Sequence, residues 1–470
     1  MRRKHKMKKK VMMAAAFILT AVIAVYGTLT YMKLKDNGKE TSVSEVTSYE
    51  SSGSKRSKTV SEAGTAIETS ETVSVSGRIF DISGLFTERD LEQTFDADEA
   101  ETLILESGTD VTVSEEGVYI IKGSVSDVTV TVDAGDEDKV QLVLDGVEIT
   151  NTDFPCIYVK NADKVFVTLT ESENTLSVTG EFGADGDTNT DAVIFSKDDI
   201  VIGGSGTLKI SSSDNGISGK DDVKLTGGTL IIDCVSDAVE ANDSIAVADG
   251  NITITTKKDG LHAENEEDDS KGYIVITGGT LNITADDDAI QGNSAVQIDG
   301  GILDLDAGEC IEGTYVQING GTISIDASDD GINASAKSSA YTPTVEINGG
   351  DITLKMGSGD TDGIDSNGDL YINGGTLDIT AQSPFDYDGT GKLNGGTVTV
   401  NGSKITSLTN QMMGGRMQGD FGNGGGRGGF GNDTRPDEGS SNGSRPDEAS
   451  GQRPGDGSSR PGNPGRKKQG

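Results

Sequence analysis

GGTLNITADDDAIQ, from Gly278 to Gln291, states the rule that most of this chain obeys. A glycine pair is followed by Thr and an alternating strand. An acidic run, a small residue, an aliphatic and one more polar residue follow. GGTLIIDCVSDAVE from Gly227 and GGTISIDASDDGIN from Gly320 repeat the pattern. The second glycine recurs at Gly206, Gly228, Gly250, Gly279, Gly301, Gly321, Gly350, Gly375 and Gly396, at spacings of 22, 22, 29, 22, 20, 29, 25 and 21 residues. A near-constant period with occasional insertions is what a solenoid writes into its sequence. The alternation gives each strand one inward and one outward face. No stretch from residue 100 to 410 sustains helical periodicity. The expected fold is all-β, a parallel β-helix with about 20–22 residues per coil.

The composition suits such a fold. Of 470 residues, 33% are hydrophobic, 65 are Gly and none is Trp. A conventional core of that size uses more large apolar residues, whereas a β-solenoid buries only the inward side chains of short strands. The formal charge is −38, and the first ten residues hold seven Lys/Arg and no acid, leaving 32 basic against 77 acidic residues elsewhere. Such a surface excludes nucleic-acid binding through a phosphate-neutralising patch and favours cations as partners. Cys156, Cys234 and Cys310 show no metal-type spacing. Cys156 and Cys310 occupy the slot that Ala or Gly fills in other coils and read as small buried residues.

Four segments follow in order. Residues 1–32 are a basic start and an uncharged run, Val11–Met32, long enough to span a bilayer with the body outside the cell. A signal peptide cleaved after Ala24 is the rival reading. Residues 33–76, rich in Ser, Thr, Glu and Lys, read as a flexible stalk. Within the β-helix, 77–411, the opening Ile79–Phe95 has a short helical piece near Glu88–Gln93 and is expected to cap the exposed first coil. Residues 412–470, Gly-rich and then Arg-Pro-Asp-Glu repeats, read as a disordered tail.

Aligning the coils on their glycines exposes two polar columns. The first runs Asn215, Asp237, Asp259, Asp288, Glu309, Asp330, Asp362. The second lies three residues on: Ser218, Glu240, His262, Gln291, Glu312, Asn333, Asp365. The aliphatic between them (Val239, Leu261, Ile290, Ile311, Ile332, Ile364) is expected to point inward. Equivalent carboxylates about 4.8 Å apart repel by about 1 kcal/mol in water and about 3.5 kcal/mol at an effective dielectric near 20. Bound Ca²⁺, which takes oxygen ligands, relieves that cost. Three candidate clusters emerge: Asp237/Glu240/Asp259; Asp286/Asp287/Asp288 with Glu309/Glu312; and Asp329/Asp330 with Asp360/Asp362/Asp365. His262, Gln291 and Asn333 are candidate ligand contacts in the second column. His262 has no His or Cys companion and reads as a surface residue rather than a zinc ligand. Asp capping its own turn is the structural alternative at any single position. The insertions Asn265–Lys271, Ser335–Pro343 and Gly357–Asp360 gather on the same edge.

Asp191–Ile232, with Ser196-Lys197-Asp198-Asp199 and Lys220-Asp221-Asp222 each opening a strand, resembles a family of bacterial carbohydrate-binding proteins. Leu142–Thr170 looks like the same family's first coils. The resemblance covers roughly residues 95–405. It implies a right-handed parallel β-helix, similar in fold to pectate lyases but not established as catalytic. It also implies Ca²⁺ along the helix and binding of plant cell-wall polysaccharide, acidic pectic glycans and cellulose among them.

The expectation is an exported, monomeric, non-enzymatic surface protein that binds polysaccharide through a Ca²⁺-loaded acidic edge. Two alternatives stand beside it. One is a Ca²⁺-dependent lyase, for which Lys197, Lys220, Lys257 and Lys258 are the basic residues nearest the columns; Lys197 and Lys220 sit beside acids and read as ion-paired. The other is a structural adhesin or spacer.

Overall fold

The computed structural model describes residues 77–358 and 361–410. The apolar run, the stalk, the tail and Asp360 lie outside the described residues. Among the described residues no helix is long and apolar enough to cross a membrane.

Each coil carries three short strands, and each strand pairs in parallel with its equivalent one coil away. The first sheet follows the glycine pair: Thr229–Asp233, Asn251–Thr255, Thr280–Thr284, Ile302–Ala307 and Thr322–Ala327 stack in register. The second carries the polar columns: Asn215–Gly219, Val239–Ala241, Leu261–Ala263, the starts of Asp288–Ile298 and Glu309–Ile318, then Ile332–Ala334 and Asp362–Ser366. The third runs through Asp222–Leu225, Ser244–Val247, Tyr273–Ile276, the ends of the two long strands, Thr344–Ile347 and Asp369–Ile372. This is a parallel β-helix. Its inward aliphatics form one continuous core from Leu105 to Val398. All three cysteines are free and buried.

The glycine pair makes the turn from the third sheet to the first, where successive coils come too close for side chains. A Cβ on Gly374 would lie 2.3 Å from the Asn348 carbonyl oxygen, and Gly375 has φ 81°, a left-handed conformation that L side chains rarely adopt. The residue before the pair carries a second device. Asn394 donates Nδ2–H to Oδ1 of Asn373, Asn373 to Asn348, Asn348 to Asn319, and Asn319 to Asp299, at 2.7–2.9 Å. The motif Asn-Gly-Gly at residues 319, 348, 373 and 394 is its sequence signal, which the two-column alignment passed over.

The segment Ile79–Phe95 does not cap the end of the helix. It lies along the outer face of the third sheet and runs back across the coils. Gln317 donates to the Gly77 carbonyl and Gln297 accepts from the Phe80 N–H (2.8 Å). The Phe80 ring stacks on Tyr273 at 4.3 Å. Lys224 donates to the Leu85 carbonyl (2.7 Å) and Gln141 to the Gln93 carbonyl (3.1 Å). The helical piece is Glu88–Leu91, started by a capping box between Thr87 and Asp90. Asp90 is fully buried, 3.5 Å from Lys164 and 3.8 Å from Lys224. A strap replaces the expected cap because the outward side chains of this sheet, Phe166, Val201, Ala246 and Val275, are apolar and need cover.

Candidate functional site

The second column stacks in register. Ser218, Glu240, His262, Gln291, Glu312, Asn333 and Asp365 are consecutive ladder partners. The intervening aliphatics, Val239 to Ile364, point into the core.

The first column is tied together by its own carboxylates. The N–H of Asp237 donates to Oδ1 of Asn215, that of Asp259 to Asp237, that of Asp288 to Asp259 and that of Asp362 to Asp330, at 2.9–3.1 Å. One oxygen each of Asp237, Asp259 and Asp330 is thus engaged in joining two coils. The capping and ligand roles coexist because a carboxylate has a second oxygen to offer.

Among the described residues, three groups of ligand atoms converge within 4.8 Å: Asp237/Asp259/His262, Asp259/Asp287/Asp288 and Asp288/Glu309/Glu312. Burial, followed by the charges of Asp259, Glu312 and Glu309, pushes Asp288 far above the ordinary carboxyl range. Burial and Glu312 raise Glu309 to about 7. Burial also lifts Asp259 and Asp330 to about 6 each, and Asp365 to about 7.

Other members of the expected clusters lie apart. Glu240 turns back to accept from Asn215 Nδ2 (3.0 Å) and Ser218 Oγ (2.9 Å). Asp286 and Asp329 are exposed and belong to none of the three groups. Asp330, Asp362 and Asp365 are half-buried neighbours without a convergent trio of oxygens among the described residues.

His262 is buried, which corrects its reading as a surface residue. Its Nδ1 lies 3.3 Å from Asp237 and 3.5 Å from Asp259, with Glu264 3.7 Å from Nε2. Burial opposes its protonation, but the Asp237 hydrogen bond and the surrounding carboxylates prevail and raise its pKa. For Asp237 burial is likewise outweighed, by His262, the Asp259 N–H and Lys258, and its pKa falls.

Gln291 donates to Asp288 and to Glu312. Asn333 donates to Glu309 (2.9 Å) and Glu312 (3.3 Å), while its buried Oδ1 has no hydrogen-bond partner among the described residues. The insertions supply two features that the sequence did not reveal. Lys337 reaches Glu312 at 2.5 Å, and Ser338 and Ser339 bond to Asp269, joining one insertion to the other.

A family of carbohydrate-binding domain-containing proteins matches residues 107–360 and 309–411. The chain belongs to this family. A carbohydrate-binding domain-containing protein of Acetivibrio thermocellus is 38% identical over 125 residues, which is 26% of this chain and 44% of the relative. The chain therefore spans less than half of that relative. Among solved structures, a polysaccharide lyase-like protein from C. thermocellum, studied as a gadolinium derivative, is 29% identical, with a TM-score of 0.41 over 63% of this chain and 99% of that one. Within this carbohydrate-binding domain, the second sheet carries Glu240, His262, Gln291, Glu312, Asn333 and Asp365 at equivalent places on successive coils.

Proposed function

We propose that this is an exported surface protein whose acidic edge binds Ca²⁺ and, through it, acidic plant-type polysaccharide. The observation that carries the reading is the convergence of Asp288, Glu309 and Glu312. Two buried carboxyls and a half-buried one held together favour either protons or a cation. Their all-oxygen character suits a hard ion such as Ca²⁺, and the unpaired Asn333 Oδ1 beside them is a further oxygen of the right kind. When bound, the ion supplies positive charge on which a uronate carboxylate can be held. The protein's own residues fix the acceptors, since Gln291 and Asn333 orient Glu312 and Glu309. Asp237/Asp259/His262 offers a second, mixed site.

Binding without catalysis is the favoured chemistry. Lys258 is a base candidate for β-elimination, but it is 3.2 Å from Asp237. Burial lowers its pKa, and the surrounding carboxylates raise it further than burial lowers it. A cation held protonated cannot abstract a proton. We take the winding to be right-handed, as parallel crossovers are, and the protein to be a monomer anchored by residues 1–32, with 33–76 as its stalk.

The test is retention on polygalacturonate, with cellulose in parallel. EDTA should abolish retention and Ca²⁺ restore it. Retention undiminished by EDTA would overturn the bridging reading, and unsaturated products released from the glycan would establish a lyase instead.

A further inference from the structure

The second column does not begin with acids. In the two coils before Ser218 its positions are Phe195 and then Tyr158, each the ladder partner of the next. Their rings meet edge to face at 5.8 Å, and both are fully buried. Two residues further along each strand comes a lysine. The pairings of Ser196 with Val159 and of Gly219 with Ser196 bring Lys160, Lys197 and Lys220 to equivalent places on three successive coils. The N–H of Lys197 donates to the Val159 carbonyl (3.0 Å) and that of Lys220 to the Ser196 carbonyl (2.8 Å), which fixes the stacking. Lys160 Nζ lies 5.1 Å and Lys197 Nζ 5.9 Å from the Tyr158 ring centre, and Lys220 Nζ lies 5.5 Å from that of Phe195.

Three ammoniums one coil apart repel one another just as the carboxylates do, so the arrangement favours an anion. The fold itself places one there. The hairpin of Ala184–Asp185 and Thr188–Asn189 presents Asp185, whose carboxylate lies 2.8 Å from Lys160 and accepts from the Tyr158 hydroxyl at 3.1 Å. Lys197 and Lys220, expected to be ion-paired, have no ion-pair partner among the described residues; Asp198 and Asp222 turn instead to the Ala162 N–H and the Ser244 hydroxyl. Lys220 stands at the rim of the acidic edge, lining with Lys271 a cavity of about 490 Å³ whose other charged residues are all acids, Asp221, Glu240, Asp243 and Glu264 among them, so the anion subsite lies on the side of Lys197 and Lys160.

We propose that Lys197 and Lys220, beside the Asp185-held Lys160, form a carboxylate subsite that receives uronate groups of an acidic glycan directly, without a metal. The inference rests on the acidic-glycan reading above and adds a second, metal-independent point of attachment. A chain laid along the coils would meet ammoniums at one end of the second sheet and cation-loaded carboxylates beyond it.

The experiment measures binding of the purified full-length chain to polygalacturonate and to dextran sulfate, with Ca²⁺ present. K197A/K220A is compared with wild type, with K197R/K220R and with K209A/K355A, which removes the same charge from the first sheet. K197A/K220A should bind polygalacturonate about tenfold more weakly or worse. The arginine pair and the first-sheet pair should match wild type, and raising salt should weaken wild type more steeply than K197A/K220A. Equal affinity of K197A/K220A and wild type overturns the subsite and leaves the Ca²⁺ reading standing. Equal losses in K197A/K220A and K209A/K355A reduce the effect to net charge and also overturn it. A loss on dextran sulfate alone rules out carboxylate as the ligand. Failure of wild type itself to bind polygalacturonate removes the acidic-glycan reading and this inference together.

Discussion

Asp288 and Glu309 are direct ladder partners on successive coils, and burial holds both carboxyls above their ordinary range. The folded state therefore keeps protons that the unfolded chain gives up. A carboxyl raised in this way stabilises the fold at low pH and loses that contribution as pH rises from its unfolded value through its folded one. For Glu309 the window runs from 4.5 to about 7, and Asp288 extends it upward. His262, also raised, acts in the same direction, its contribution being lost as pH rises above 6.5. In EDTA the thermal midpoint should fall between pH 5 and 8, and Ca²⁺ should flatten or reverse that fall. The same slope with and without Ca²⁺ would mean that no cation sits there.

Glu309→Gln separates a ligand from a structural acid. The substitution keeps an acceptor for Asn333 but removes one of three like charges. Without metal, above pH 7 where Glu309 is charged, it should stabilise the fold by about 1–3.5 kcal/mol, the scale of one carboxylate repulsion between water and an effective dielectric near 20. With Ca²⁺ it should weaken ion binding about tenfold or more, read by titration calorimetry. Loss of stability in EDTA would show that Glu309 serves the fold alone.

The glycine pair and both columns were readable because a parallel solenoid returns each position to the same environment. The aliphatic at Val239 and the polar residue at Glu240 recur coil after coil from Ser218 to Asp365, so their directions follow from register. His262 misled because its burial comes from Asp237 and Asp259 rather than from its own strand. The strap was hidden for a related reason. Leu85 meets Lys224 across 139 residues and Gly77 meets Gln317 across 240, with no period to announce either contact. Lys197 and Lys220 sit next to acids in sequence, yet those acids turn to other donors, a choice of side-chain direction that spacing does not record.

The strap gives its own prediction. Asp90 faces Lys164 and Lys224 and closes the capping box with Thr87. Asp90→Ala leaves two lysines without their shared carboxylate in a covered site, a change that costs about 3–5 kcal/mol when a buried pair is broken. The loss should be local first. Hydrogen exchange followed by mass spectrometry should show residues 77–95 losing protection while the Thr280–Thr284 and Thr322–Ala327 strands keep theirs. Uniform loss across all coils would show that the strap and the helix open as one unit.

The asparagine ladder predicts a cost that depends on position. Asn373 donates to Asn348 (2.9 Å) and to Glu346 (3.1 Å), and it accepts from Asn394 (2.7 Å). Asn394 stands at the last step and its side chain makes one of these bonds. Each net hydrogen bond is worth about 0.5–1.5 kcal/mol, more where a charged acceptor such as Glu346 is left behind. Asn373→Ala should therefore destabilise by about 2–3 kcal/mol and Asn394→Ala by about 1 kcal/mol. The two share a bond, so the double variant should cost less than the sum. Chemical denaturation of the three variants measures this. Strict additivity would mean that the ladder bonds act separately and that the glycine turns alone hold this corner in register.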